Sequence, residues 1–497
     1  MSKYFEANRS QENLGSKSFR SGVISVAGRA INAVIQIGTI VVLARLLMPE
    51  DFGLVAMVAA LIGFAPVLIE LGTSDAAVQK ADITPEEVSG LFWLNMAIGG
   101  GIALLVAGAS PWIAWFYEEE RLQPVAMVAS LQFVFLGLAC QHYALLRRAM
   151  QFQRIVVVEV CGNVLSAAAA IGMALHGLNY WALVARPVLT AGLTSLGIIA
   201  VCRWVPGRPR LTDDVKRLLR FGMNITGFTM LDFVGRSADR VALGVTTNAQ
   251  QIGYYQQSIS LYDNPLYVIT LPLHGVAVAS LSKLRDNLEE LRRSWAKALS
   301  HLVFYGMPAF GGLSLLSQDL IVVMLGEKWH YAGVLLSVFA VRGVVHIVER
   351  TLGWLHIAAG RADRWRRWGM ISTTCQLAAI GCGLPFGAMG VAVALTAVTY
   401  VLFIPTLAYA GQPLGIGATL VWRVVWRPLV AALAALGIGW AVQHHGLSGL
   451  SAWLRILVSG LLYTGCYTLI VAGMLGLREP LAVLRNGVRA VLGKLGR

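Results

Sequence analysis

Four stretches of this sequence set charged or polar side chains at helical spacing inside otherwise apolar runs. Asp232, Arg236, Asp239 and Arg240 are spaced i, i+4, i+7 and i+8, which at the helical repeat is one face. Arg342, His346, Glu349 and Arg350 repeat that spacing, while Arg29, Asn32 and Gln36 share one stripe and Gln256, Ser260, Asp263 and Tyr267 another. A charge within a membrane span is costly unless it faces a water-filled or protein-lined interior, so these stripes predict a hydrated central cavity. Its chemistry is anion binding, because Arg29, Arg236, Arg240, Arg342 and Arg350 outnumber Asp232, Asp239 and Glu349. Every base in the set is arginine, whose planar fork takes phosphate oxygens two at a time. Structural ion pairing is the alternative around residues 232–240, where two acids can neutralise two arginines along one helix. Arg29 has no acid within a turn, so it requires a partner on another helix, a lipid headgroup or a substrate anion.

Around these bases, Asn32, Gln36, Gln256, Tyr262 and Tyr267 are candidate polar and sugar contacts, although tyrosines at residues 254–267 also suit an interfacial aromatic belt. Asp232, Asp239, Glu349, Glu70 and Glu159 are candidates for ion coupling, since a carboxylic acid in a dry site can keep a proton near neutral pH. A hydrogen-bonded helix contact serves equally for Glu70 and Glu159. The six cysteines all fall inside apolar spans without a C-x-x-C pair and read as small buried hydrophobes, with no metal site expected. H-E-x-x-H, G-x-S-x-G and the P-loop are missing from the sequence, so neither a cofactor nor an ATP-driven pump is expected.

The elements that must position these residues are membrane helices. Of 497 residues, 57% are hydrophobic and 13% charged, against about 25% charged in a soluble domain; the mean hydropathy is +0.66. With about 20 residues per span, the chain accommodates 14 candidate helices from 21–47 to 453–475, including 53–78 and 298–324. The fold class is therefore an all-α polytopic integral membrane protein, and the longest connections, near 203–220 and 280–297, leave no space for an extramembrane catalytic domain. Lysine and arginine divide sharply between alternate loops. Thirty lie in one set, and only Arg121 and Lys328 in the other, which predicts an even number of spans with both termini cytoplasmic. The net charge of +14 is thus distributed as topological signal in short blocks, and nucleic acid is not an expected partner.

A repeat at an offset of 200 residues aligns Leu43 with Leu243 and Gly53 with Gly253, and it brings Asn32, Gln36 and Thr39 into register with Asp232, Arg236 and Asp239. A parallel repeat of six helices accounts for both. The expected organisation is an N-terminal segment 1–20, an N-lobe 21–202, an inter-lobe loop 203–220, a C-lobe 221–410, a connecting loop and two further helices over 411–475, and a basic tail 476–497.

Three segments carry a family resemblance: Ala44-Arg45-Leu46-Leu47-Met48-Pro49-Glu50-Asp51-Phe52-Gly53, Leu71-Gly72-Thr73-Ser74-Asp75-Ala76-Ala77-Val78-Gln79, and Ala238-Asp239-Arg240-Val241-Ala242-Leu243-Gly244 followed by Gly253-Tyr254-Tyr255. The sequence resembles the Wzx-type polysaccharide flippases, in particular the colanic-acid-like lipopolysaccharide and exopolysaccharide branch, which share a superfamily with multidrug and toxin extruders and the lipid II flippase. That resemblance implies two pseudo-symmetric six-helix lobes, alternating access, and transfer of undecaprenyl-diphosphate-linked oligosaccharide across the bacterial inner membrane. It further implies the lipid bilayer, a glycan polymerase and export machinery as partners, and it matches Arg29 to the arginine-bearing first helix of related flippases. A multidrug antiporter on the same fold would instead want unpaired acids for cationic drugs, and a membrane glycan polymerase or ligase would want a sizeable outer loop.

Overall fold

The computed structural model describes residues 14–70, 72–80, 83–208, 233, 235–447 and 449–475. Among these, every regular element is helical. Among the described residues, eleven segments are long and apolar enough to cross a membrane, and one of them, Asp363–Leu414, contains two helices. The chain divides into two compact units, Met1–Gly253 and Tyr254–Arg497.

In the first unit, α1 (Leu14–Leu46) starts ahead of the first apolar run. The expected single span 53–78 is instead three pieces, α2 (Pro49–Ile62), α3 (Ala65–Glu70) and α4 (Thr73–Gln79). Gly72 sits in the left-handed region at φ 65°, a conformation that interrupts a helix, and a buried polar node takes up the carbonyls released there. Asn95 donates to the Ile69 carbonyl and, at 3.0 Å, to Thr73 Oγ1; Thr73 in turn donates to the Glu70 carbonyl at 2.6 Å. Gln141 Nε2 donates to Asn95 Oδ1 at 2.9 Å. Apolar periodicity cannot register this break, because the node is made by helices far apart in sequence.

Four longer helices complete the unit: α5 (Pro85–Phe116), α6 (Leu122–Arg148), α7 (Phe152–Leu175) and α8 (Tyr180–Cys202). Helix α5 opens on a capping box, with Thr84 accepting from the Glu87 amide at 3.2 Å and Glu87 accepting from the Thr84 amide at 3.1 Å. Contacts at both ends fix the up-and-down order of these helices. At one end, Arg121 donates to Glu50 at 2.6 Å and Asp51 accepts from the Tyr180 amide. At the other, Lys80 pairs with Glu87 at 2.7 Å and Arg148 caps the Ala77 and Lys80 carbonyls. Between them Leu91, Phe92, Leu145, Leu146, Ile198 and Trp204 form part of a buried core. A helix over 235–246, α9, follows, and α10 (Ala249–Lys283) begins within this unit. A side chain on Gly53 would run into the Ala249 carbonyl, and one on Gly253 into the Pro49 carbonyl, so these repeat-related glycines lie where the two backbones touch.

In the second unit, α10 leads to α11 (Leu288–Leu325), α12 (His330–Ala358), α13 (Ala362–Gly383), α14 (Gly387–Gly411), α15 (Ala418–Gly446) and α16 (Ala452–Leu475). The expected loop 280–297 shrinks to a short turn, because Asn287 caps α11 by accepting from the Glu290 amide at 3.2 Å. Glu289 and Glu290 fall in the first turn of α11, where the helix dipole favours them, so this helix starts well before its apolar run. Trp295, Phe310, Trp329, Phe339 and Trp354 are fully buried in the unit.

Candidate functional site

In the first unit the polar residues gather on α1, α7 and α8. Arg29 is exposed and, among the described residues, its guanidinium makes no hydrogen bond or ion pair; it acts on the Tyr143 phenol through space. Tyr143 donates to Glu159, so that acid is held as a helix contact between α6 and α7. Asn32 accepts from Asn163 Nδ2 at 3.1 Å, joining α1 to α7. Gln36 is exposed one turn further along. Glu70 is exposed at the end of α3 beside the polar node. On α9 the expected stripe splits: Asp239 is buried, Arg240 half-buried and Arg236 exposed. Asp239 pairs with its neighbour Arg240 at 3.5 Å and accepts from its amide at 2.8 Å, while Arg240 also reaches the Arg236 carbonyl at 2.6 Å. Asp232 lies outside the described residues.

In the second unit α10, α12 and α14 assemble a tighter group. Tyr262 is buried, stacks on His346 and shares a 2.6 Å hydrogen bond with its Nδ1. Arg342 donates to Thr399 Oγ1 on α14 at 2.9 Å. Arg350 lies over the Tyr267 ring at 5.5 Å, a cation–π contact. Glu349, Arg342, Arg350 and Asp263 all act electrostatically on Tyr262. Gln256 donates to Ser260 at 3.0 Å on its own helix. The group combines fixed positive charge, aromatic faces and hydroxyls, which is the set that binds phosphate oxygens and sugar rings.

Sequence reasoning missed three arrangements. Asp319 on α11 accepts from Arg455 Nε on α16 at 3.1 Å and from Gln443 on α15 at 3.0 Å. Tyr143, the partner of Glu159, carries no charge to mark it. Arg186, on α8, is half-buried. Arg186, Asp319 and Arg455 were open to the same rule that found Arg29, a charge inside an apolar run, but each stands alone in its apolar run and forms no stripe.

The helical order is that of two solved membrane proteins. The lipid II flippase MurJ in its inward closed conformation superposes with a TM-score of 0.74 at 13% identity, covering 91% of this chain and 98% of that one. An inward-facing multidrug resistance MATE transporter of the MOP superfamily gives a TM-score of 0.60 at 13% identity, over 80% and 99% of the two chains. The chain belongs to the family described as polysaccharide biosynthesis protein, whose model matches residues 42–333, more than half of its length. It is 26% identical over 438 residues to the lipopolysaccharide biosynthesis protein WzxC of Escherichia coli strain K12, covering 86% of this chain and 88% of that one. The succinoglycan biosynthesis transport protein ExoT of Rhizobium meliloti is 25% identical over 442 residues, with 87% and 88% covered.

Proposed function

We propose that this protein is a flippase, a transporter and not an enzyme, that moves undecaprenyl-diphosphate-linked oligosaccharide repeat units from the cytoplasmic to the periplasmic leaflet for exopolysaccharide or lipopolysaccharide assembly. The match to the polysaccharide biosynthesis family over residues 42–333 carries this reading. On this reading the protein lies in the bacterial inner membrane with both termini cytoplasmic, organised as lobes 21–202 and 221–410. The intramembrane bases support the substrate class. Arg29, Arg236, Arg240, Arg342 and Arg350 bind the diphosphate as alternating access proceeds. Asn32, Gln36, Gln256, Tyr262 and Tyr267 contact the glycan, and the acids Asp232, Asp239, Glu349, Glu70 and Glu159 are the positions available for ion coupling.

The test is complementation of a deletion strain with Arg29→Ala, Arg236→Ala and Arg342→Ala and their lysine counterparts, with membrane protein level checked and lipid-linked oligosaccharide assayed by leaflet. Accumulation on the cytoplasmic face at normal protein level is the expected result. Export equal to the parent would mean that these arginines are structural and that the headgroup is held elsewhere.

A further inference from the structure

Within the first unit, two arginines inside apolar spans, Arg29 on α1 and Arg186 on α8, make no side-chain hydrogen bond or ion pair among the described residues. Burying an unpaired guanidinium is unfavourable, and such a residue persists where it meets water or a ligand. Snorkelling to a lipid headgroup is the simplest alternative for an arginine near a helix end. The surroundings of Arg186 argue against it. Arg186, Thr190 and Thr194 share one stripe of α8, and the Thr190 hydroxyl donates to Ser166 of α7 at 2.7 Å, so the stripe faces α7. Gly162 of α7 lies against Thr194, which brings the two helices close along the same seam.

The seam continues to Arg29. On α7, Glu159, Asn163 and Ser166 follow one another at i, i+4 and i+7, and Asn163 is bonded to Asn32 of α1. Gly28 packs against Val156, so α1 and α7 are in contact at the level of Arg29. The order along the helices is therefore Arg29, the Asn32–Asn163 rung, the Ser166–Thr190 rung, then Arg186. At 1.5 Å rise per residue this ladder is about 15 Å long, half of a hydrocarbon core of about 30 Å. Arg186 is six positions from the start of α8, which Asp51 ties to the start of α2 at the end of the unit opposite Lys80 and Glu87.

We propose that Arg186 is a second binding site for the phosphate oxygens of the lipid headgroup, occupied after Arg29, and that the two polar rungs between them pass the headgroup from the α1–α7 contact to the α7–α8 seam. This rests on the flippase reading. Among the described residues neither arginine has an ion-pair partner to give up, so transfer from one to the other replaces like contacts with like and leaves no deep trap between them.

The test uses the full chain in liposomes, with undecaprenyl-diphosphate-linked oligosaccharide as the probe and its appearance in the opposite leaflet as the readout. Arg186→Gln keeps polar length and removes the charge. It is expected to slow transfer about tenfold or more, the worth of a lost charged hydrogen bond, with an unchanged melting temperature. Arg186→Lys is expected to recover most of the rate, because a restored charge and not a restored shape is what the site requires. Transfer by Arg186→Gln at the parent rate would overturn the inference, as would an Arg186→Lys variant that is folded and as slow as the glutamine variant. If the parent itself moves no probe, the flippase reading falls with it; if the parent transfers and Arg29→Ala does not, a normal Arg186→Gln rate removes this second site alone.

Discussion

Asp319 and Arg455 lie 136 residues apart and meet as a forked pair, with Gln443 completing the carboxylate. The carboxylate is buried and the guanidinium is 30% exposed, so the loss on breaking the pair is smaller than for a fully dry one. Asp319→Ala is expected to lower stability by about 2 kcal/mol, read as a reduced melting temperature in detergent. The double variant Asp319→Leu with Arg455→Leu should recover part of that loss, since it leaves no orphan charge. A second prediction concerns Glu119, whose carboxyl is held below the usual range by its hydrogen bond from Arg121. A depressed carboxylate stabilises the fold above its unfolded value and loses that contribution as pH falls through the lowered one. Melting temperature should therefore drop on acidification below the ordinary carboxylate range, and Glu119→Gln should flatten that part of the profile. The stripes that hold Arg29, Arg342 and Glu349 could be read from the sequence because charge at helical spacing is a local signal. Tyr143 with Glu159, Thr399 with Arg342, and Asp319 with Arg455 were not legible, because each pairing joins helices that only the tertiary fold brings together.

At the level of elements, the broken second span is where expectation and structure differ most. Hydropathy sees one apolar run, whereas Gly72 at φ 65° and the Thr73–Asn95–Gln141 node divide it. Asn95→Ala removes the donor to the Ile69 carbonyl and should cost about 1–3 kcal/mol, with accelerated proteolysis near residues 71–72 as the check. The glycine pair at the 200-residue offset was found as a sequence match, and its physical reason is the contact of Gly53 with Ala249 and of Gly253 with Pro49. Because the obstacle in both cases is backbone, Gly53→Ala is expected to destabilise by about 2 kcal/mol or more. Reduced steady-state protein in the membrane would report it, and normal levels would mean that the two turns have room to separate.

For the whole molecule, the described residues hold eleven apolar segments, one of which, Asp363–Leu414, contains two helices; part of the expected span 221–245 lies outside them. Orientation is open to direct test in a cysteine-free background. A cysteine at Glu120 should react with an impermeant maleimide in intact cells, and one at Asn287 only after the membrane is opened; the reverse pattern would invert the topology. The Asp319–Arg455 fork also bears on how the chain is made. An acid in α11 enters the bilayer during synthesis with its partner 136 residues behind it in the chain, a delay of about 7–27 s at about 5–20 residues per second. Throughout that interval the nascent chain carries an uncompensated acid, which favours retention of α11 beside the insertion machinery. Arrival of α16 ends the wait, so a chain that stops short of it is expected to keep an uncompensated acid within α11.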